Sequence, residues 1–159
     1  MSEIIAAALW AILLGGLGGL LTDIGPWYRQ LEKPAWQPPD WLFGPAWTII
    51  LGLAAWAAVL AWRGAPDGAA RADIVIVYAV NFVFHLLWSP LFFKWRRPDW
   101  ALVEVVFLWF SVLAILIVAA RHSDAAFWMI LPYLLWVSFA AFLNWKIVRL
   151  NRPFARQSS

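Results

Sequence analysis

The chain has 159 residues, of which 64% are hydrophobic and only 13% are charged, so it differs from soluble proteins, which are roughly half apolar and a quarter charged. This excludes an ordinary soluble domain and indicates one membrane domain over residues 1–159. The net charge of +3 comes from basic residues at the ends of apolar runs, which argues against a nucleic-acid partner and for contact with membrane lipid, and the lack of cysteine excludes disulfides and thiolate metal sites.

Five apolar runs each approach the roughly 20 residues that a helix needs to cross a hydrocarbon core. They predict helices near residues 4–22, 45–62, 73–93, 100–120 and 125–147. Backbone amides in lipid must be satisfied within each segment, and the alternation of a barrel strand is absent. The predicted fold class is therefore all-α, an integral membrane bundle of five transmembrane helices. The first run has no preceding basic residue and is too long for a signal peptide, so we expect it to be retained.

The connector between the first two spans, residues 23–44, is rich in tryptophan and proline. Proline fixes the backbone and indole rings offer wide amphipathic faces, so this connector is predicted to be a stiff aromatic lid beside the membrane surface. The alternative is an aromatic belt that only anchors the helices at the headgroups.

One face of the third span carries polar and aromatic side chains at spacings of three and four. These residues are Tyr78, Asn81, His85, Trp88 and Phe92. Polar groups at membrane depth are costly unless they face the bundle interior, so this face should point inward. Asn81 and His85 then either line a pocket or hydrogen-bond neighbouring helices.

Other features of the spans leave alternatives open. Ala140 stands beside Trp136 in the fifth span, which leaves either a gap for a flat ligand or a dense helix contact. Gly15 and Gly19 have the small-xxx-small spacing of a dimer interface or of tight packing within the bundle. Glu104 is interpreted as a structural acid rather than a catalyst.

Several kinds of chemistry have no sequence signal. There is no phosphate-binding loop, no histidine pair at metal spacing and no nucleophile triad, so neither a metal site nor a required cofactor is predicted. Charged rings, carbonyl filters and inverted halves are not visible either, which argues against an ion channel and many secondary transporters. A cavity lined by rings and a few polar groups is typical of a site for an apolar small molecule.

Basic residues are distributed unevenly between the two ends of the predicted bundle. One end has Arg63, Arg71 and Arg121, and the other has Arg29, Lys33, Lys94, Arg96, Arg97, Lys146, Arg149, Arg152 and Arg156. The positive-inside rule therefore predicts an N-terminus outside and a cytoplasmic first connector and C-terminus.

Three separated blocks of sequence carry a family resemblance. They include Trp27-Tyr28, Lys33-Pro34, Pro38-Pro39 and Pro45-Ala46-Trp47-Thr48, then Trp88-Ser89-Pro90-Leu91-Phe92-Phe93, and finally Pro132-Tyr133-Leu134-Leu135-Trp136, Phe139-Ala140 and Leu143-Asn144. Over nearly its whole length the chain resembles the TspO/MBR family, the tryptophan-rich sensory proteins, also called translocator proteins or peripheral benzodiazepine receptors.

The resemblance implies a five-helix protein, often a homodimer, with a ligand pocket beneath the first cytoplasmic loop. It implies porphyrins, haem, sterols and benzodiazepine-type compounds as ligands, and some bacterial members are reported to degrade protoporphyrin in light. Carried over by motif position, the pocket comprises Trp36, Phe43, Trp47, Trp88, Trp100, Phe107, Trp136, Ala140 and Leu143. Trp47 and Trp136 occupy the positions linked to porphyrin breakdown.

The chain departs from the family pattern at two places. Where the family commonly has Gln and then Asn four residues later, this chain has Asn81 and His85, so the polar end of the pocket gains a titratable ring. The C-terminal sterol motif wants a tyrosine where Trp145 stands, and sterol affinity is not predicted from it.

The leading hypothesis is a membrane receptor or carrier for porphyrin-like tetrapyrroles, with Asn81 or His85 meeting a polar group of the ligand. The alternative is a light-dependent porphyrin-degrading enzyme in which Trp47 and Trp136 supply oxidisable indoles. A third hypothesis is a regulatory membrane partner without a ligand of its own. His85 is also a candidate axial ligand of haem iron, although a hydrogen-bonded core histidine explains it equally well.

Overall fold

A computed structural model of the chain describes residues 1–154. Within them the structure has five long helices, one short helix and no β-strand. The helices are α1 Ser2–Leu21, α2 Pro26–Gln30, α3 Phe43–Gly64, α4 Gly68–Ser89, α5 Pro98–Ala120 and α6 Asp124–Asn151. All except α2 are long and apolar enough to cross a membrane. The prediction of an all-α fold with five spans is therefore confirmed.

Polar capping residues extend the helices beyond the predicted boundaries. Helix α4 begins at Gly68 rather than near residue 73, because the Asp67 carboxylate accepts a hydrogen bond from the Ala70 amide at 2.8 Å. Helix α6 continues past residue 147 to Asn151, whose side-chain amide donates to the Ile147 carbonyl at 2.8 Å. The predicted ranges followed the apolar runs alone and were therefore too short at these two ends.

Helix α5 lies at the centre of the bundle and packs against α4 and α6. Its buried residues Val105, Val112 and Ile115 form part of the main apolar core, and its buried Ala101 belongs to a second cluster with Phe92 and Phe93. Helix α1 packs at the edge, against α3 and α4, and Leu14 is its only buried residue. Helix α5 is therefore the most buried of the long helices, and α1 is the least buried.

The outer surface of the bundle is apolar. On α1, Ile5, Ile12 and Leu20 are exposed, and similar residues are exposed on the other long helices. A soluble protein rarely leaves so much apolar surface uncovered, whereas lipid tails accommodate it. The surface thus agrees with the membrane assignment from composition.

The C-terminal end of the third span changes its helical pitch. After α4 the chain forms one π-helical turn, Pro90–Lys94, closed by the Trp95 amide donating to the Pro90 carbonyl at 2.9 Å. Pro90 has no amide proton, so the regular hydrogen bond of an α-helix is missing at this point and the helix widens. The wider turn brings buried Phe92 and Phe93 to the inner face.

The orientation prediction depends on basic residues at the two ends. At the N-terminal end, Arg63 donates to Glu3 of α1 at 3.2 Å, which places the start of α1 beside the end of α3. Arg156, counted on the opposite end, lies outside the described residues.

Candidate functional site

A cavity of about 600 Å³ lies among the long helices, bordered by the first connector. Its wall contains Leu14, Gly15, Gly18 and Gly19 of α1, Tyr28, Asp40 and Trp41 of the connector, Phe43, Trp47, Thr48 and Leu51 of α3, His85, Trp88, Phe92 and Phe93 of the third span, Val105 and Leu108 of α5, and Trp136, Ala140, Leu143 and Asn144 of α6. Most of these side chains are apolar or aromatic. The composition of the wall therefore suits an apolar ligand with few polar groups.

Aromatic rings from separate helices converge on this cavity. The ring centroids of Trp47 and Trp136 are 6.2 Å apart, and the two rings are nearly perpendicular at 87°. Phe43 contacts Trp136 at 5.7 Å, and Trp88 stacks on Phe92 at 5.0 Å. Edge-to-face and stacked pairs at these distances are favourable, so the rings support one another.

The connector is folded by hydrogen bonds around Tyr28. The Tyr28 hydroxyl donates to the Asp40 carboxylate at 3.1 Å and accepts from the Gln37 side-chain amide at 3.2 Å. The Lys33 ammonium lies 4.0 Å from the centre of the Tyr28 ring. Burial, followed by the negative charge of Asp40, raises the pKa of Tyr28 to about 12. A single 3₁₀ turn, Asp40–Leu42, then leads directly into α3.

The connector is also joined to the end of α6. The Glu32 amide donates to the Asn151 side chain and the Asn151 side chain donates to the Glu32 carbonyl, each at 2.8 Å. Trp36 stacks on Phe142 of α6 at 5.3 Å. These contacts agree with the predicted lid, whereas its stiffness stays a prediction. Trp41 is largely exposed although it lines the cavity, so its position agrees with both the lid and the aromatic belt.

A hydrogen-bonded chain of polar residues crosses the centre of the bundle. His85 Nδ1 lies 2.7 Å from the Tyr133 hydroxyl, which donates to Asn81 Oδ1 at 3.0 Å. Asn81 Nδ2 donates to the Ser111 hydroxyl at 2.9 Å. The chain joins α4, α5 and α6, and the inward orientation predicted for the polar face of the third span is confirmed. Asn81 acts between helices, while His85 also reaches the cavity.

Seven of the predicted ligand-binding residues line the cavity, and four do not. Those in the wall are Phe43, Trp47, His85, Trp88, Trp136, Ala140 and Leu143, and those outside it are Trp36, Asn81, Trp100 and Phe107. Their roles in binding stay predictions.

The two aromatic residues predicted on α5 point away from the cavity. Trp100 is 51% exposed and lies under the Arg97 guanidinium, and Phe107 is 53% exposed and stacks on Phe84. The inward face of α5 is instead occupied by Val105 and Leu108. Because each residue is turned by about 100° from the one before it in a helix, Phe107 does not face the cavity although it is adjacent to Leu108. Trp100 and Phe107 therefore lie outside the wall of this cavity, and their part in ligand binding stays a prediction.

Gly15, Gly18 and Gly19 of α1 line the cavity, whereas the sequence indicated either a dimer interface or tight packing within the bundle for Gly15 and Gly19. A Cβ on Gly18 or Gly19 would meet no atom within 4 Å among the described residues, and one on Gly15 would meet Leu51 at an ordinary 3.8 Å. Tight packing within the bundle is therefore not the role of Gly18 or Gly19. Because glycine has no side chain, these positions leave room in the cavity. Their spacing in the sequence puts them on one helical face, and this was the signal that could have indicated a cavity wall.

Comparisons with known proteins agree with this architecture. The profile of the TspO/MBR family matches residues 6–150. The tryptophan-rich protein TspO of Chlorobaculum tepidum is 39% identical, over 79% of this chain and 79% of its own length. The protein of the same name from Archaeoglobus fulgidus is 35% identical over 94% and 97%. The translocator protein of Sus scrofa is 31% identical over 88% and 87%. With five membrane-length helices and these matches, the chain is an integral multi-pass membrane protein that belongs to the TspO/MBR family.

Proposed function

We propose that this chain is a membrane receptor or carrier that holds porphyrin-like tetrapyrroles and other flat apolar ligands, including benzodiazepine-type compounds, beneath its first connector. Membership of the TspO/MBR family supports the broader role of a membrane receptor or transporter. The ligand class is the finer step, and the shape and chemistry of the cavity support it.

The observation that carries the proposal is the meeting of Trp47 and Trp136 in the cavity wall, with ring centroids 6.2 Å apart. A flat macrocycle has two large π faces and little capacity for hydrogen bonding on them. Perpendicular indoles offer one ring face and one ring edge to such a ligand, which matches the preferred geometries of aromatic contacts. The volume of about 600 Å³ is in the range of small-molecule sites.

Titration with protoporphyrin tests the proposal. Purified protein in lipid nanodiscs is titrated while the absorbance of the porphyrin is followed, and empty nanodiscs give the partition background. We expect saturable binding that weakens about three- to tenfold in Trp47→Phe and in Trp136→Phe, since an aromatic contact contributes ~0.5–1.5 kcal/mol.

Trp128→Phe is the matched control, because Trp128 lies on the same helix as Trp136 but is 67% exposed and outside the cavity wall. It should bind protoporphyrin like the unsubstituted chain. Non-saturable uptake, or the same loss of affinity in all three variants, would contradict the proposal.

The same pair of indoles favours a second candidate function, light-dependent breakdown of bound porphyrin. Both rings lie in the wall of the cavity, where an indole can give one electron to an excited macrocycle in contact with it, and dioxygen from the air is the oxidant for the breakdown that follows. Illumination of the complex in air should then consume porphyrin faster than free pigment bleaches, and the excess rate should disappear in the Trp47→Phe, Trp136→Phe double variant. Equal rates for bound and free pigment would leave binding as the only function.

We further propose that the first connector faces the cytoplasm, as the distribution of basic residues indicates. The chain has no cysteine, so single substitutions give clean labelling sites. In intact cells, a membrane-impermeant thiol reagent should label Arg121→Cys and not Arg29→Cys, since both residues are exposed but lie at opposite ends of the bundle. The reverse pattern would invert the orientation.

A further inference from the structure

Proton positions in the central polar chain can be assigned from its hydrogen bonds. The Ser111 hydroxyl donates to the Leu108 carbonyl at 2.7 Å, and a hydroxyl has only one proton to give. Ser111 must therefore accept in its 2.9 Å contact with Asn81, which fixes Nδ2 of that amide toward Ser111. The Asn81 oxygen is left as the acceptor on the other side.

The same argument continues to His85. The Tyr133 hydroxyl donates its single proton to Asn81 Oδ1 at 3.0 Å, so it can only accept from the imidazole at 2.7 Å. His85 Nδ1 therefore carries the proton. Since a charge at membrane depth is costly, the neutral ring is the relevant form, and its lone pair is on Nε2.

The lone pair on Nε2 belongs to a ring in the cavity wall. His85 lies edge-on to Trp47 at 4.7 Å, and within residues 1–154 its Nε2 makes no hydrogen bond. The Thr48 hydroxyl donates to the Gly44 carbonyl and the Tyr28 hydroxyl donates to Asp40. The indole N–H groups of Trp88 and Trp136 have no partner within residues 1–154, but they are buried and can only donate. His85 therefore offers the cavity a fixed acceptor among apolar rings.

We propose that His85 Nε2 selects flat ligands that carry an N–H or O–H donor at the ring edge over ligands of the same shape that can only accept. This inference rests on the proposed function, because it names the ligand class of the same cavity. Tyr133, Asn81 and Ser111 are positioning residues, since they hold the proton on Nδ1 without touching the ligand. An acceptor-only ligand would face the Nε2 lone pair with a second lone pair and leave it unsatisfied.

Carbazole and dibenzofuran are the probes, because they are planar tricycles of nearly the same shape that differ in one atom, an N–H group against an ether oxygen. Binding of each to the protein in nanodiscs is measured by calorimetry and corrected with empty nanodiscs. We expect the unsubstituted chain to prefer carbazole about five- to tenfold, the range expected when one neutral hydrogen bond is made or lost.

Two variants identify the source of the preference. In His85→Phe the planar shape is kept and both nitrogens are removed, so the ratio of the two affinities should fall to about one. In Tyr133→Phe the acceptor that holds the proton on Nδ1 is removed, so the proton can move to Nε2 and dibenzofuran should gain on carbazole. Trp128→Phe should retain the original ratio.

The ratio is measured within one protein sample, so a variant with a smaller folded fraction changes both signals equally and leaves the ratio intact. Equal affinities in the unsubstituted chain, or an unchanged preference in His85→Phe, would overturn the selectivity while leaving the binding function standing. If neither compound binds beyond empty nanodiscs and protoporphyrin also fails to bind, the proposed function and this inference fail together.

Discussion

Filling the space beside Gly18 should separate the stability of the protein from its capacity for large ligands. A Cβ at Gly18 meets no atom within 4 Å, and Gly18 lines the cavity. Replacing glycine by leucine within a helix is favourable by about 0.5–1 kcal/mol, because the backbone of glycine has more freedom to lose on folding. Gly18→Leu should therefore raise the thermal midpoint by roughly 1–4 °C.

The same substitution should weaken the binding of a large ligand. The leucine side chain adds four carbon atoms, which at the ~30 Å³ that a water molecule occupies fill roughly 120 Å³. This is about a fifth of the cavity of about 600 Å³. Since forcing extra atoms into a filled site costs ~1–3 kcal/mol, we expect the affinity for protoporphyrin to fall by about tenfold or more. Carbazole is far smaller and should bind nearly as before.

Gly16→Leu is the matched control on the same helix. Gly16 also has no atom within 4 Å of its virtual Cβ, but it does not line the cavity. It should show the gain in thermal midpoint without the loss of protoporphyrin affinity. Both properties are measured in nanodiscs by thermal unfolding and by titration. Equal losses of affinity in the two variants, or none in Gly18→Leu, would refute the assignment of α1 as a cavity wall.

Three further outcomes follow from the hydrogen bonds of the site. Asn151→Ala removes both bonds to the Glu32 backbone, so the free energy of unfolding should fall by about 1–2 kcal/mol and hydrogen exchange of the connector should rise, whereas unchanged exchange would argue that other contacts hold it. The pKa of Tyr28 is about 12 in the folded chain and 10 in the unfolded chain, so the unfolded chain releases this proton first as the pH rises. The free energy of unfolding should therefore decline between pH 10 and 12, and it should decline less steeply in Tyr28→Phe. Parallel pH curves for the two proteins would contradict this. Ser111→Ala leaves the buried Asn81 amide without its acceptor and should lower the free energy of unfolding by about 1–3 kcal/mol, whereas an unchanged thermal midpoint would count against the pairing.

The sequence predicted the spans well and their ends poorly. Long apolar runs determine which segments can cross a membrane, so all five helices were found. The ends depend on single polar groups such as Asp67 and Asn151, whose hydrogen bonds are local and leave no mark on hydropathy. Their capping role becomes evident only when backbone and side chain are seen together.

The inward side of the third span followed from its polar face, whereas the polar face of α5 was overlooked. The third span carries Asn81 and His85, and this polar face indicated correctly which side points inward. On α5, Glu104, Leu108 and Ser111 recur at spacings of four and three and are all buried, so they mark one inward face. This face was not used in the prediction, although it separates Leu108, which lines the cavity, from Phe107, which does not. The meeting of Trp47 with Trp136 joins residues far apart in sequence and followed only from the family resemblance.

The aromatic rings of the cavity wall contact other side chains outside the cavity, and these contacts affect how tightly the cavity can bind a ligand. Trp47 contacts Tyr133 at 6.0 Å and Trp136 contacts Phe139 at 5.5 Å, while His85 is hydrogen-bonded to the buried Tyr133. Side chains fixed in this way lose little freedom when a ligand arrives, and each immobilised side chain that need not be ordered saves about 0.5–1.5 kcal/mol. Helix α1 contributes three glycines and the fully buried Leu14 to the wall, so it adds little to that cost. The connector is therefore the part of the wall in which ordering on binding should be concentrated, and the bonds of Tyr28 and Asn151 are the contacts that set its extent.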